Sequence, residues 1–278
     1  MTDGMQGMLF GTIQEPSDSE SDRETIRVCA LNVQSTGESR AQRLADWLLS
    51  TRSQIVVLSE LQSNAGADLL LSCLDAEGYE VTYPPARRAA KYFVAVATKG
   101  FTSSTFETPP ELGPRVVAVR IQLPGETLAI TGIYAPTNGM THDSSLQRQR
   151  FQKESLSWLA QAATIGPLLV AGDLNVLEPG HSPHIEGFNE HDYNFYSGIT
   201  ALGLDDAFRV INPDKIEHSW ISERYGSQRL DHAFITRRAF KVTGSWYDHQ
   251  TRAEGLSDHA AMFIEFSRHI DTNPATGR

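Results

Sequence analysis

Pro167-Leu168-Leu169-Val170-Ala171-Gly172-Asp173-Leu174-Asn175 is the stretch whose reading decides the fold. Its apolar part reads as a short buried strand. Gly172 is expected to let the chain turn sharply at that strand's end, so that Asp173 and Asn175 project together from the rim of a sheet. A carboxylate and an amide are thereby placed in one pocket. The carboxylate can take a proton or ligate a hard cation, and the amide donates to an anionic oxygen without adding charge, a pairing suited to attack on a phosphate. Gly-Asp-x-Asn alone is also an ordinary turn sequence, so its meaning depends on the rest of the chain.

Other strands end in the same way. Ile55-Val56-Val57-Leu58-Ser59-Glu60 closes on a carboxylate, and Ile26-Arg27-Val28-Cys29-Ala30-Leu31-Asn32 closes on an amide. Leu128 to Tyr134 ends in a phenol before the turn Ala135-Pro136-Thr137-Asn138-Gly139. Arg229-Leu230-Asp231-His232 opens one further strand and Leu256-Ser257-Asp258-His259 opens another. Each residue has an ordinary structural explanation, as a solvated strand end or a wet phenol. Together they form an ordered series of Asn, Glu, Tyr, Asp-x-Asn, Asp and Asp-His.

That series, as Leu31-Asn32, Ser59-Glu60-Leu61-Gln62, Ile133-Tyr134-Ala135-Pro136, Gly172-Asp173-Leu174-Asn175, Leu230-Asp231-His232 and Ser257-Asp258-His259, resembles the endonuclease/exonuclease/phosphatase superfamily with the DNase I-like fold, over about residues 26 to 266. Gly203-Leu204-Asp205-Asp206-Ala207-Phe208-Arg209, then Asn212-Pro213 and His218-Ser219-Trp220, is similar to the exonuclease III and apurinic/apyrimidinic endonuclease branch. The resemblance implies an α/β (α+β) fold, a four-layer α/β/β/α sandwich of two packed mixed sheets flanked by helices. It also implies a phosphoester substrate, DNA or a nucleotide.

Length and composition fit. A chain of 278 residues with 40% hydrophobic and 21% charged content is long enough for one large core. A single domain is expected over 25–268. The acidic, Ser-rich run Pro16 to Asp22 cannot bury enough apolar surface to order itself, so 1–24 is expected to be a tail, as is 269–278. Helical spacing of apolar residues marks Arg40 to Leu49, Leu69 to Leu74 and Ser145 to Ala163, whereas Glu178 to Asn194, rich in Pro, Gly, His and Asn, reads as a long surface loop. The two cysteines, Cys29 and Cys73, read as small apolar residues in a reducing compartment, and no apolar run reaches the ~20 residues that span a bilayer. A cytoplasmic monomer with no membrane insertion is expected.

A formal charge of -10 argues against broad, salt-driven nucleic-acid binding. The Debye length is about 8 Å at physiological salt, so distant carboxylates barely reach a local site. The local cations, Arg87, Arg88, Lys91, Arg115, Arg148 and Arg150, are expected to be solvated surface charges.

Residue chemistry then gives an expected division of labour. Glu60, with Asn32 and Asp258, supplies hard oxygen ligands for Mg2+ or Mn2+. His181, His184 and His191 have irregular spacing and no cysteine partner, which counts against zinc. Asp231 can orient and charge-stabilise the His259 imidazole. In the family this pair binds or polarises the scissile phosphate or takes the water's proton, and Asp173 competes for the role of base. Tyr134 and Asn175 orient the phosphate or stabilise its developing charge. Asn138 and Trp220 are the expected substrate contacts, Trp220 matching an aromatic at the family's sugar pocket. Ile221 to Leu230 is shorter and less aromatic than the branch carries there, and Glu178 to Asn194 also departs from it. Two enzymatic readings therefore stay open, a DNA nuclease of the exonuclease III type and a phosphohydrolase of small substrates such as nucleotides, sugar phosphates or lipid head groups. A catalytically dead binding module is disfavoured, because every expected catalytic position holds a competent residue.

Overall fold

The computed structural model describes residues 25–85, 87–137 and 141–269. The tail expected over 1–24, all of the 269–278 tail except His269, and the candidate Asn138 lie outside the described residues.

The chain runs through β1 (Ile26–Asn32), α1 (Glu38–Ser50), β2 (Ile55–Leu61), α2 (Ala65–Ala76), β3 (Glu80–Thr82), β4 (Phe93–Thr98) and β5 (Ser103–Phe106). It continues with β6 (Val116–Leu123), β7 (Glu126–Tyr134), α3 (His142–Ile165), β8 (Leu168–Asp173), α4 (Glu190–Ala201), β9 (Leu204–Asp206) and α5 (Ala207–Ile211). Strands β10 (Trp220–Ser222), β11 (Gly226–Gln228), β12 (Asp231–Thr236) and β13 (Phe240–Asp248), helix α6 (Gln250–Ala253) and β14 (Ala261–Arg268) follow.

Two six-stranded mixed sheets form, in the orders β13-β14-β1-β2-β4-β3 and β5-β6-β7-β8-β12-β9, and β10-β11 is a separate hairpin. The side-chain period of two explains how they stack. Val28 and Ala30 of β1, Ile55 and Val57 of β2, and Leu169 and Ala171 of β8 share the core between the sheets. The alternate residues Cys29, Leu31, Val56 and Leu58 join Leu44 and Leu48 of α1 and Leu70 and Leu74 of α2 in a second core. Leu168 and Val170 join Phe151 and Leu159 of α3 and Phe195 and Ile199 of α4 in a third. The result is the expected four layers. Strands covered on both faces read as unbroken apolar runs, which is why the sequence shows them so clearly. Each fully buried Val, Leu, Ile or Phe contributes about 1.5 to 3 kcal/mol.

Two sequence expectations change. Strand β8 continues through Asp173, and Gly172 makes no turn there. Its φ is +133°, and a Cβ would lie 2.2 Å from the carbonyl oxygen of Ile133 on the neighbouring strand, so glycine is needed for close strand approach. The turn comes at Asn175, whose φ is +49°. The long loop, expected to reach Asn194, ends at Asn189. There the Asp192 carboxylate accepts the Asn189 backbone N–H at 2.9 Å and starts α4.

Beneath the ends of β8 and β12 lies a buried ion network. The Arg229 guanidinium is fully buried and donates at 2.6 Å to both Glu178 Oε2 and Asp206 Oδ2. Arg209 also donates to Glu178, and the Tyr196 hydroxyl to Asp206 at 2.7 Å. Burial pushes the Glu178 carboxyl up, but hydrogen bonds from Arg209 and the charge of Arg229 outweigh it and hold its pKa down at about 2. A carboxyl lowered on folding contributes stability that is complete above its unfolded pKa, 4.5, and is lost as pH falls through about 2. Arg229→Met leaves two buried carboxylates one cation short and is expected to cost about 3 to 5 kcal/mol at pH 7. Urea denaturation from pH 7 to pH 3 checks it. The wild type loses stability on acidification while the variant recovers by protonating its unpaired carboxylates, so the gap must narrow; a constant gap would mean the network carries no such charge coupling.

Candidate active site

Asn32 ends β1 with its side-chain Oδ1 accepting the Gln34 N–H at 2.9 Å. This fixes the amide orientation, so Nδ2 donates to Glu60 Oε2 at 3.0 Å and to Asp173 Oδ2 at 2.8 Å. Asn32 thus joins the end of β2 in one sheet to the end of β8 in the other. Glu60 sits at an irregularity in the β2–β4 pairing with φ of +58°, a bulge that re-aims its carboxylate. The Tyr134 hydroxyl donates to Glu60 Oε2 at 3.0 Å. Burial, then the charges of Asp173 and Glu60, push the Tyr134 phenol well above its usual range.

Strand register places Asp173 opposite both Tyr134 of β7 and Asp231 of β12. Asp173 Oδ1 accepts the Asn175 backbone N–H at 2.9 Å, and Asn175 Nδ2 spends one N–H on the Ala135 carbonyl at 2.9 Å. Burial and the facing Asp231 raise the Asp173 pKa to about 7, against the pull of His259 and its two hydrogen bonds. Like charges directly opposite are unfavourable in a sheet.

The Asp231–His259 pairing anticipated from sequence is present geometrically, with His259 Nδ1 donating to Asp231 Oδ2 at 2.7 Å and both residues buried. That leaves Nε2 as the ring nitrogen for the cleft. Ser219 Oγ accepts the backbone N–H of Asp231 at 3.1 Å, and the Tyr247 hydroxyl donates to the Asp231 carbonyl at 2.5 Å. Ser257 Oγ accepts the His259 N–H at 3.0 Å and donates to the Asn32 carbonyl at 2.6 Å. Asp258 lines the same cleft and accepts from Trp220 Nε1 at 3.1 Å.

Glu60, Tyr134, Asp173, Asn175, Trp220, Asp258 and His259 line one cleft of about 950 Å³, with Asn32 and Asp231 hydrogen-bonded to its walls. Among the described residues, the one group of three His, Cys, Asp or Glu side chains tight enough to hold an ion directly is Asp173, Asp231 and His259, with donor atoms within 4.8 Å of one another. Glu60 and Asp258 lie outside that group, and the Asn32 oxygen is engaged by Gln34. Asp231 Oδ1 is buried without a hydrogen-bond partner, and Glu60, Asp173 and Asp258 bring three carboxylates to the cleft, a donor set that fits a hard divalent ion that keeps several waters. His181 Nδ1 lies 2.9 Å from the Pro183 carbonyl and His191 Nδ1 lies 2.7 Å from Gln152 Oε1.

Sequence reasoning missed Arg148. Expected on the surface, it is buried and donates to Asp192 Oδ1 at 2.7 Å, to Asn175 O at 2.5 Å and to Pro136 O at 3.2 Å. It fastens the loops after β7 and β8 to α3. A signal was available: Arg148, Phe151, Gln152, Ser155 and Leu159 share the buried stripe of α3 at helical spacing. Ser219 and Ser257 carry no such signal.

The model of the Endonuclease/Exonuclease/phosphatase family matches residues 29–259. An exodeoxyribonuclease of Streptococcus pneumoniae is 22% identical, covering 85% of this chain and 96% of that protein. Among solved structures, a 3′ phosphatase from Neisseria bound to a product DNA hairpin superposes with a TM-score of 0.71 at 19% identity, covering 87% of this chain and 99% of that one. An AP endonuclease from Archaeoglobus fulgidus gives 0.68 at 18% identity, covering 86% and 98%. These structures share the fold.

Burial alone would push the His259 imidazolium pKa down; the Asp231 carboxylate outweighs it, with help from Asp173 and Asp258, and holds the pKa up at about 9. Asp231→Asn removes the strongest influence that holds the ring up, so its pKa is expected to fall. NMR titration of the His259 ring in the metal-free protein checks this. An unchanged pKa would separate the two residues.

Proposed function

From a chain that belongs to the endonuclease/exonuclease/phosphatase family, and whose strand ends converge on one acidic cleft, we propose a divalent-metal-dependent phosphoesterase that hydrolyses phosphodiester bonds of DNA, of the exonuclease III and AP endonuclease type. The observation that carries this reading is the buried Asp231–His259 pair facing Asp173 across one cleft, with Asn32 tying Asp173 to Glu60.

Each residue has a role set by its surroundings. His259, kept cationic by Asp231, holds a non-bridging phosphate oxygen through Nε2 and stabilises charge as it develops on phosphorus. Asp173, buried and raised to about 7, takes the proton of the attacking water, since a base titrating near neutrality transfers protons most effectively. Asn175 and the Tyr134 hydroxyl orient the phosphate. Glu60 and Asp258 would hold Mg2+ or Mn2+, which when bound supplies charge neutralisation at the leaving oxygen. Water reaches phosphorus directly, without a covalent intermediate on the protein. Among the described residues no helix is long and apolar enough to cross a membrane.

Hydrolysis of a nicked duplex, a duplex with an abasic analogue and a panel of nucleotides, each with Mg2+, tests the reading; no turnover of any would overturn it. Glu60→Gln is expected to retain the fold, weaken Mg2+ binding in calorimetry and remove most activity. Undiminished Mg2+ affinity would take Glu60 out of the ion site. His259→Ala is expected to cost on the order of 2 to 5 kcal/mol of transition-state stabilisation, and Asp231→Asn less because the ring remains. Since both residues serve one imidazole, the double variant should be scarcely worse than His259→Ala alone. Strictly additive losses would show that the two act independently.

A further inference from the structure

The two segments in which the sequence departs from the family's branch meet over the cleft. Loop 178–189 is fastened by several contacts to the residues that flank the β10–β11 hairpin and to its tip. The Arg229 N–H donates to His181 Nε2 at 3.2 Å, His218 Nε2 lies 2.9 Å from the Ser182 carbonyl, and the His181 and His218 rings pack with centroids 5.5 Å apart. Ile185 Cδ1 packs on Gly226, 2.7 Å from where a Cβ would lie, and the φ of +79° there suits glycine at the hairpin tip. The strand-end cleft is thereby given a roof.

The chemistry of the roof differs from that of the floor. Ile185, Phe188, Trp220, Tyr225 and Leu230 present apolar and aromatic surface to the cavity. The Tyr225 ring, 47% exposed, stacks on Trp220 with centroids 6.3 Å apart and planes 23° apart, and the Arg224 guanidinium lies 5.1 Å from its centroid. Gln228 Nε2 donates to the Tyr225 carbonyl at 2.8 Å and pins the hairpin tip that carries the ring. The same two segments also bring His184, Glu186, Arg224 and Gln228 to the cavity, and the distinguishing surface of this wall is the Trp220–Tyr225 ring stack. A flat heteroaromatic ring suits it, because base–aromatic stacking needs a π-face and little else.

We propose that the roofed cavity is a nucleobase site, which receives one unpaired base joined to the phosphate on the floor. This rests on the phosphoesterase reading for the phosphate end only. A cavity of about 950 Å³ is at the upper end of the usual range for small-ligand sites, roughly 300 to 1,000 Å³, and suits a single nucleotide unit rather than a stacked pair. The acidic chain agrees, since a single unit brings few phosphates and needs no wide cationic surface. The substrate class is then a base-bearing nucleotide, either free or at a single-stranded or frayed end. A sugar lacking its base would leave the aromatic wall uncovered.

Two measurements on the full chain test this. The first follows fluorescence quenching of 2-aminopurine, presented as a free deoxynucleotide and at the end of a short single strand, with EDTA present so that no hydrolysis is required. Saturable quenching is expected, weakened about 5- to 150-fold by Tyr225→Ala or Phe188→Ala, the range for losing one stacked base. An abasic strand should compete poorly, and the free and strand-borne probes show which source the site prefers. The second compares Mg2+-dependent hydrolysis of base-bearing and abasic ends, with the base-bearing end preferred and the preference falling toward one in both variants. Absence of saturable quenching, equal affinity in the variants, or equal competition by the abasic strand would overturn the proposal. Quenching without any hydrolysis would remove the phosphoesterase reading and leave the base site standing, whereas hydrolysis indifferent to the base would do the reverse.

Discussion

The side-chain amide of Asn32 carries a hydrogen bond to each of two carboxylates that belong to different sheets, Glu60 at 3.0 Å and Asp173 at 2.8 Å. Carboxylates this close repel, and an amide donor between them offsets part of that repulsion without adding a competing charge. Its orientation is fixed by the Gln34 N–H, and its backbone carbonyl accepts from Ser257, which in turn holds the His259 N–H. One residue at the end of β1 therefore sets the distances among Glu60, Asp173 and His259. The site is assembled by the joining of two sheets and depends on their register, in which a slip by one residue would turn every one of these side chains to the other face.

Holding that geometry has local costs. Glu60 and Asn175 adopt left-handed backbone at φ of +58° and +49°, and Asp173 faces Asp231 directly. Such conformations persist where the surroundings over-determine them. Arg148 holds the Asn175 carbonyl from beneath, Tyr247 and Ser219 hold the Asp231 backbone, and the Arg229 network ties the start of β12 to Glu178 and Asp206. Each of these supports is buried, so water does not compete for its hydrogen bonds.

What the sequence made legible follows from the same physics. Strands covered on both faces leave unbroken apolar runs, and polar residues closing those runs stand out, so Asn32, Glu60, Tyr134, Asp173, Asn175, Asp231, Asp258 and His259 could be singled out and do border one cleft or bond to its walls. Buried charge was harder to read. Arg148 and Arg229 look like any surface arginine until their partners Asp192, Glu178 and Asp206 come into contact from 23 to 51 residues away. Gly172 was assigned a turn because glycine's freedom and its lack of a Cβ leave the same mark in a sequence. Glu178 to Asn194 reads as one loop because the capping carboxylate that starts α4, Asp192, is locally indistinguishable from a loop aspartate.

Chemistry and selectivity occupy different parts of this chain. The proposed reacting groups lie on strand ends whose positions are fixed by two six-stranded sheets and three apolar cores. The roof lies largely on a loop and a two-stranded hairpin that contribute little to those cores, and it meets the strand-end residues at Trp220, which bonds Asp258 and sits 6.4 Å from the His259 ring. Segments held by a few side-chain contacts on a rigid scaffold can change without loss of the fold. The shape of the Ile185, Phe188 and Tyr225 wall can therefore vary while the phosphate end stays constant. This separation explains how the family motifs could be read from end to end while the substrate could not: the proposed base-selecting wall is built from residues whose meaning appears only when two distant loops are brought together.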